Sequence, residues 1–231
     1  MCGRFAFYSP HDAVAGWFGI EGPWPALPPR WNIPPTATVA VLRADSTGRR
    51  TLSGMHWGLV PAWALPAAGA RMINARAETI AEKPAFRAVY RRRRAVVLAD
   101  AYYEWHVGAD GKRPYAVRAA DGIPLALAAL WETRLERETG EVLLSCAIVT
   151  REAVGVLRDL HPRMPVALQA PAVAAWLDPG RAEPAEIAPL LTGPPPELVV
   201  DPVSRRVNSP RNDGPELLRR DAGPDSDAGP G

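Results

Sequence analysis

The chain has 231 residues, enough to bury a substantial core, and its 47% hydrophobic and 23% charged residues are ordinary for a globular domain. No run approaches roughly 18 consecutive apolar residues, and the opening MCGRFAFYSPHD lacks the basic-then-apolar pattern of a secretory signal. No membrane span is therefore expected, and a bacterial-type cytoplasm is the expected compartment. The net charge of +2 hides an asymmetry, because Asp221, Asp225 and Asp227 lie in a tail with no basic residue. Only Lys83 and Lys112 among the 27 basic residues are lysines. Arginine suits phosphate and base stacking, although a GC-rich genome gives the same excess, so charge permits a nucleic-acid partner without requiring one. Two cysteines, Cys2 and Cys146, are too few for a disulfide framework. Neither has a cysteine or histidine at metal-ligand spacing, so no metal site and no cofactor is expected.

In chain order, residues 11–18 read as a short helix with Ser9 or Asp12 available near its start. Proline dominates residues 23–35, which read as an irregular segment hugging the surface. Apolar runs of strand length follow at residues 38–42, 52–57, 95–99, 102–106, 115–118, 125–131 and 143–150. Asp110-Gly111 and Asp121-Gly122 punctuate three of these as hairpin-type turns. Helix is expected at residues 78–94, interrupted at Pro84, and at 173–177 and 185–191. Strands joined by tight turns predict an α+β fold with mainly antiparallel pairing in one domain over residues 1–217. The remaining 218–231 are expected to form a disordered acidic Gly/Pro/Asp tail, whose final stretch DAGPDSDAGPG holds no basic residue and cannot bury anything.

Cys2 is the first candidate for chemistry. Methionine aminopeptidase removes Met1 when the second residue is small, which exposes an α-amine beside a thiol. An α-amine, with a pKa of about 8, is substantially unprotonated near neutrality, so it can attack an aldehyde to give a Schiff base. The neighbouring thiol can then close on the imine carbon as a five-membered thiazolidine, helped by the high effective concentration of an intramolecular step. The bland alternative is an incidental cysteine at a frayed terminus. Asn74 and Arg76 in MINARAET, Glu104 in ADAYYEWH and His161 in LHPRMPV come next. Singly, each has an ordinary reading as a turn residue, a solvated strand residue or a hydrogen-bonded loop residue. Glu104 fits its ordinary reading least, because Tyr102, Tyr103 and Trp105 surround it with aromatic bulk that suits a carboxylate for proton shuttling. Trp57 and Trp63 flank a rigid Gly58–Pro61 turn that can present an indole to unpaired bases. The Arg91–Arg94 run reads most simply as a solvated helix end.

Ordered blocks then carry a resemblance. They are MCGRF (1–5), WNIPPT (31–36), WGLVPAWA (57–64), NARAET (74–79), RAVVLADAYYEWH (94–106), KRPYAV (112–117), ALAALWE (126–132), AIVTREA (147–153), HPRMPVAL (161–168) and VNSPRNDGPEL (207–217). The chain resembles the SRAP domain, the SOS response-associated peptidase family, whose members shield abasic sites in single-stranded DNA. The resemblance implies two curved, mainly antiparallel sheets forming a barrel-like core with peripheral helices. It implies a covalent crosslink from Cys2 to the ring-opened abasic sugar after Met1 is removed. Asn74 would position the Cys2 amine and the sugar, Glu104 would relay protons, and His161 would assist ring opening and crosslink release. Arg4, Arg76 and Arg163 would contact phosphates, while Trp63 and Pro35 would stack or wedge. The implied peptidase step is removal of Met1, whether autoproteolytic or by methionine aminopeptidase, and not general protein digestion.

The chain departs from the family pattern at two places. Ala62 and Ala64 flank Trp63 where the family often has a second aromatic, and Pro162 follows His161 where the family frequently has aspartate. A monomer acting on single-stranded DNA, nucleoid-associated when bound, is the expected assembly. Two rivals stand beside it. A non-catalytic single-strand binding module would use the basic, aromatic surface without covalent chemistry. An N-terminal-nucleophile amidohydrolase, another class opening on Met-Cys-Gly, would use the Cys2 thiolate on an amide. Its glutamine-pocket motifs are not found downstream.

Overall fold

A closed ring of five strands forms the centre of the computed structural model, which describes residues 2–64, 72–108, 111–136 and 140–221. The ring runs β10 (Val142–Glu152), β4 (Arg50–Trp57), β3 (Thr38–Ala44), β6 (Arg94–Ala99) and β9 (Leu125–Leu135), and a β9–β10 pairing closes it. β6 and the first half of β9 are buried on every residue. That is why they read as unbroken apolar runs and not as alternating ones. Every ring pair is antiparallel except β4–β10, which run parallel with Ser145 opposite His56 and Cys146 opposite Trp57.

Short strands extend this sheet. β5 (Asn74–Arg76) lies parallel to β10, and β11 (Arg163–Pro165) lies antiparallel to its C-terminal end. β12 (Ala167–Leu168) pairs with β9. A second sheet of five strands holds β1 (Phe5–Phe7), β2 (Arg30–Ile33), β7 (Ala101–Gly108), β8 (Gly111–Ala119) and β13 (Leu198–Pro202) in the order β13-β8-β7-β1-β2. Helices α1 (His11–Phe18), α2 (Arg87–Arg92), α3 (Leu157–Leu160), α4 (Ala170–Leu177) and α5 (Pro184–Thr192) lie around the sheets. The expected α+β architecture of two mainly antiparallel sheets, a barrel-like core and peripheral helices is therefore the observed one. No helix among the described residues is long and apolar enough to cross a membrane.

Trp57 joins the two sheets. It is fully buried and meets Phe5 of β1 edge-on, with ring centroids 5.0 Å apart. Its indole nitrogen donates to the Ile73 carbonyl at 3.0 Å, and its backbone pairs with Thr36 and Ala37. The turn at Pro35 and the approach to the strand carrying Asn74 are thus tied to one residue, the first by its backbone and the second by its indole. Truncating such a residue typically costs about 3–5 kcal/mol.

Several sequence expectations change. The irregular 23–35 segment ends in β2, whose Ile33 and Arg30 pair with Phe5 and Phe7, because Arg30–Ile33 holds no proline and keeps its donors. Helix over 78–94 shrinks to α2. The backbone before it makes successive turns in which the Thr79 carbonyl accepts from Glu82 and Lys83, and Pro84 has no N–H to continue a helix. Asp121-Gly122 is not a hairpin; with Gly122 at φ 77° it carries the chain from β8 in one sheet to β9 in the other. The β7–β8 hairpin closes with Gly108 opposite Gly111, and Asp110 lies outside the described residues. Neither Ser9 nor Asp12 caps α1: Pro10 is the N-cap, and Ser9 bonds the Asp100 carboxylate instead. The described fold continues past residue 217, since Arg220 bridges Val203 and Asp221 pairs with Arg113 at 3.3 Å. Residues 222–231, most of the expected tail, lie outside the described residues.

Candidate active site

The second residue of a chain ordinarily frays. Here Cys2 is wholly buried just ahead of β1, and the Asn74 side-chain amide donates to its carbonyl at 2.9 Å. Asn74 reaches that position because β5 is pinned to β10 at both ends. Ile148 N–H donates to the Ile73 carbonyl at 3.0 Å, and Ala77 N–H donates to the Thr150 carbonyl at 2.8 Å. The Asn74 Oδ1 atom is buried with no hydrogen-bond partner among the described residues, leaving an acceptor beside Cys2.

Glu104 arrives from β7. Phe5 pairs with Tyr102, and Tyr103 N–H donates to the Arg4 carbonyl at 2.9 Å, which draws β7 alongside the N-terminal strand. Glu104 is only 5% exposed, so the solvated-strand reading does not hold. Burial pushes the Cys2 thiol well above the usual cysteine range, and the Glu104 carboxylate pushes it further. The sulfur is thereby held as a neutral thiol, the less nucleophilic form.

His161 closes α3, whose Asp159 carbonyl accepts from His106 Nδ1 of β7 at 2.8 Å. Arg163 N–H donates to His161 Nδ1 at 2.9 Å. The same Nδ1 lies 3.1 Å from the Arg163 carbonyl, so one ring nitrogen meets both backbone groups of Arg163.

The cations differ in availability. Arg76, at the end of β5, is exposed. Arg4 is half-buried and donates to Asn32 Oδ1 at 2.8 Å and to the Val207 carbonyl at 3.1 Å. Arg163 forks onto both oxygens of Glu78, at 2.6 and 3.0 Å, and also bonds the Thr150 carbonyl. Arg76 and Arg163 flank β10 on its two sides, since Thr150 pairs with Arg76 in β5 and Glu152 with Arg163 in β11. Trp63 stands 72% exposed, whereas Trp57 is core, so of the two indoles only Trp63 is presented. Pro35 sits half-buried in a turn whose next residue, Thr36, holds φ at 70°. The Arg91–Arg94 run is not a uniform solvated end: Arg94 is buried and donates to the Trp176 and Asp178 carbonyls at the end of α4.

The structure thus brings Cys2, Asn74 and Glu104 together and sets His161 with Arg163 beside β7 and β10. Sequence reasoning missed Asn32, Glu78, Thr150 and Asp213. Asn32 carried a signal, as a polar residue in a short run that is otherwise apolar; its fully buried amide donates to the Val207, Ser209 and Asn212 carbonyls. Asp213 in turn accepts from the Trp31 and Asn32 backbone and pairs with Arg30. A cavity of about 450 Å³ opens elsewhere, between Trp17, Phe18, Ile123, Leu168 and Pro171, and none of the candidate residues lines it.

Comparison with known proteins gives concordant matches. The family model described as SOS response associated peptidase (SRAP) matches residues 1–210. The abasic site processing protein YoaM of Bacillus subtilis is 36% identical over 94% of this chain and 97% of its own length. The abasic site processing protein YedK of Escherichia coli is 32% identical over 95% of this chain and 99% of its own. A crystal structure of a protein from Bacteroides thetaiotaomicron superposes with a TM-score of 0.83 at 23% identity, over 95% of this chain and all of that one, which speaks to the fold.

Proposed function

The chain belongs to the SOS response associated peptidase family, and on that premise we propose that it captures abasic sites in single-stranded DNA as a covalent thiazolidine on Cys2 once Met1 is gone. The observation that carries the reading is the seating of Cys2: a residue that ordinarily frays is buried, clamped by Asn74 and flanked by Glu104. Nothing in packing alone calls for an amide and a carboxylate at that point.

The chemistry follows from the neighbours. The α-amine nitrogen of Cys2 bonds the aldehyde carbon while the carbonyl pair moves to oxygen, and a proton passes from nitrogen to that oxygen. The Glu104 carboxylate then carries the remaining nitrogen proton to that oxygen, the C–O bond breaks and water leaves an imine. The sulfur bonds the imine carbon, and the thiol proton passes through Glu104 to the nitrogen. A thiol held neutral by burial favours this order, amine first and sulfur second. It speaks against the amidohydrolase alternative, in which thiolate attacks first. His161, an imidazole able to exchange protons near neutrality, serves opening of the sugar ring. Arg4, Arg76 and Arg163 guide the phosphates, and Trp63 with Pro35 receives the bases. The protein acts as a monomer, and the crosslink shields the lesion from other chemistry.

The test uses processed protein, verified by intact mass, and a single-stranded oligonucleotide with one abasic site, resolved on a denaturing gel. A shifted band that Cys2→Ala abolishes is expected, and Glu104→Gln should form it roughly 10²–10⁴-fold more slowly. Processed wild-type protein that binds the strand but gives no band would sink covalent capture and leave a non-catalytic binding module.

A further inference from the structure

Tyr102 lines the site and has had no task so far. It is 1% exposed, and its hydroxyl oxygen is buried with no hydrogen-bond partner among the described residues. Buried tyrosines ordinarily satisfy that group. Tyr103, one residue on, does so by donating to the Trp31 carbonyl at 2.7 Å. An unmade hydrogen bond of this kind is destabilising, so its retention calls for an explanation.

Strand geometry says where the group points. Alternate residues of a strand share a face, so Tyr102 and Glu104 leave β7 together. Ala101 and Tyr103 face the other way, into a separate cluster with Ala6, Ala116 and Val203. Tyr102 belongs instead to the cluster that contains Cys2, and it pairs across β1 with Phe5, three residues from Cys2. Burial holds the phenol well above its ordinary range, and both Cys2 and Glu104 add to that. The group therefore keeps its proton and remains a donor with no acceptor among the described residues.

We propose that Tyr102 is a further catalytic residue of the capture reaction, its hydroxyl donating a hydrogen bond to the oxygen on the abasic aldehyde carbon. The inference rests on the reading of Cys2 as the nucleophile. When the Cys2 nitrogen bonds the carbon, the carbonyl electron pair moves onto that oxygen, and the Tyr102 O–H steadies the charge as an oxyanion donor does. It holds the same oxygen until the C–O bond breaks and water departs. Tyr102 keeps its own proton throughout, so the protons exchanged by nitrogen, sulfur and Glu104 still balance.

Tyr102→Phe retains the ring and removes only the hydroxyl. Single-turnover adduct formation on the abasic oligonucleotide should slow by about 10–10³-fold, the range for losing one such donor. Binding of an intact strand should stay within about two-fold of wild type, and the melting temperature should not fall. Trapping the imine with cyanoborohydride should slow by the same factor, because the step precedes sulfur attack; a purely structural defect would lower binding and melting temperature as well. Equal adduct and trapping rates in variant and wild type would overturn this inference alone. A loss accompanied by weakened intact-strand binding or a lowered melting temperature would overturn it too. Wild-type protein that forms no adduct would overturn the reading of Cys2 and this inference with it.

Discussion

The Asn74 side-chain amide donates to the Cys2 carbonyl across 2.9 Å, fastening residue 2 to a strand 72 positions further along the chain. The bond holds the backbone of residue 2 through its carbonyl, while the Arg4 backbone N–H reaches the Cys2 sulfur. Asn74→Ala should release that hold. Adduct formation is expected to slow by about 10–100-fold, as misplaced reacting groups do. Binding of intact single strands should change little, and stability should drop by about 1 kcal/mol. Single-turnover kinetics beside fluorescence anisotropy checks it; an unchanged rate would reduce Asn74 to a strand-end residue.

Trp63 and Arg76 should separate stacking from charge. Trp63 is 72% exposed, so Trp63→Ala should leave the melting temperature alone. It should weaken single-strand binding by the roughly 1–3 kcal/mol of one base stack, with the salt dependence unaltered. Arg76→Ala should weaken binding to intact and abasic strands alike and lower the salt slope by about one. Anisotropy titrations over a salt series distinguish the two, and identical salt slopes for both variants would contradict the assignment.

Glu78 competes for Arg163. Its carboxylate takes both arms of the guanidinium, and that hydrogen bonding holds the Glu78 carboxyl below its usual range. Glu78→Gln should tighten binding of intact strands about two- to ten-fold at low salt, by freeing a cation and removing a like charge from the phosphate path. A depressed pKa means that the pairing is present above the ordinary carboxylate range and is lost as pH falls through the folded value. Wild type and variant should therefore converge in acid. Weaker binding by the variant would show instead that Glu78 holds Arg163 in its working position.

Thr36 supplies a stability test. Its φ of 70° is a left-handed conformation that β-branched residues adopt at a cost of about 1–2 kcal/mol, and its side chain is exposed. Thr36→Gly relieves the clash but adds freedom to the unfolded chain, so a net gain of about 0.5–1 kcal/mol is expected. The denaturant midpoint measures it, and a loss would mean that the threonine side chain supports the Pro35 turn.

The long strands were legible because their signal was internal. β6 and β9 are continuous apolar runs, and β3, β4, β7, β8 and β10 extend the expected runs by a few residues at one or both ends. β1, β2, β5 and β13 were not expected, since three to five residues cannot show a period and their pairing comes from distant partners. α2 fell short because a single proline outweighed helical propensity around it. Cys2, Asn74 and Glu104 could be named from motifs, but their proximity could not, because it depends on β5 lying parallel to β10 and on β1 pairing with β7. The partners that set availability, Glu78 for Arg163 and Asn32 for Arg4, depend on contacts between segments far apart in sequence.

The clamp by Asn32 gives the site a direction in time. Its amide grips carbonyls at residues 207, 209 and 212, and Asp213 reaches back to the backbone of residues 31 and 32. Arg4 leans on the same Asn32 and on Val207. The Val207 carbonyl alone is gripped from residues 175 and 203 positions away, by Asn32 and Arg4. Pairings of such long sequence separation form late in folding, so the wall beside the N-terminal strand is completed from the far end of the fold.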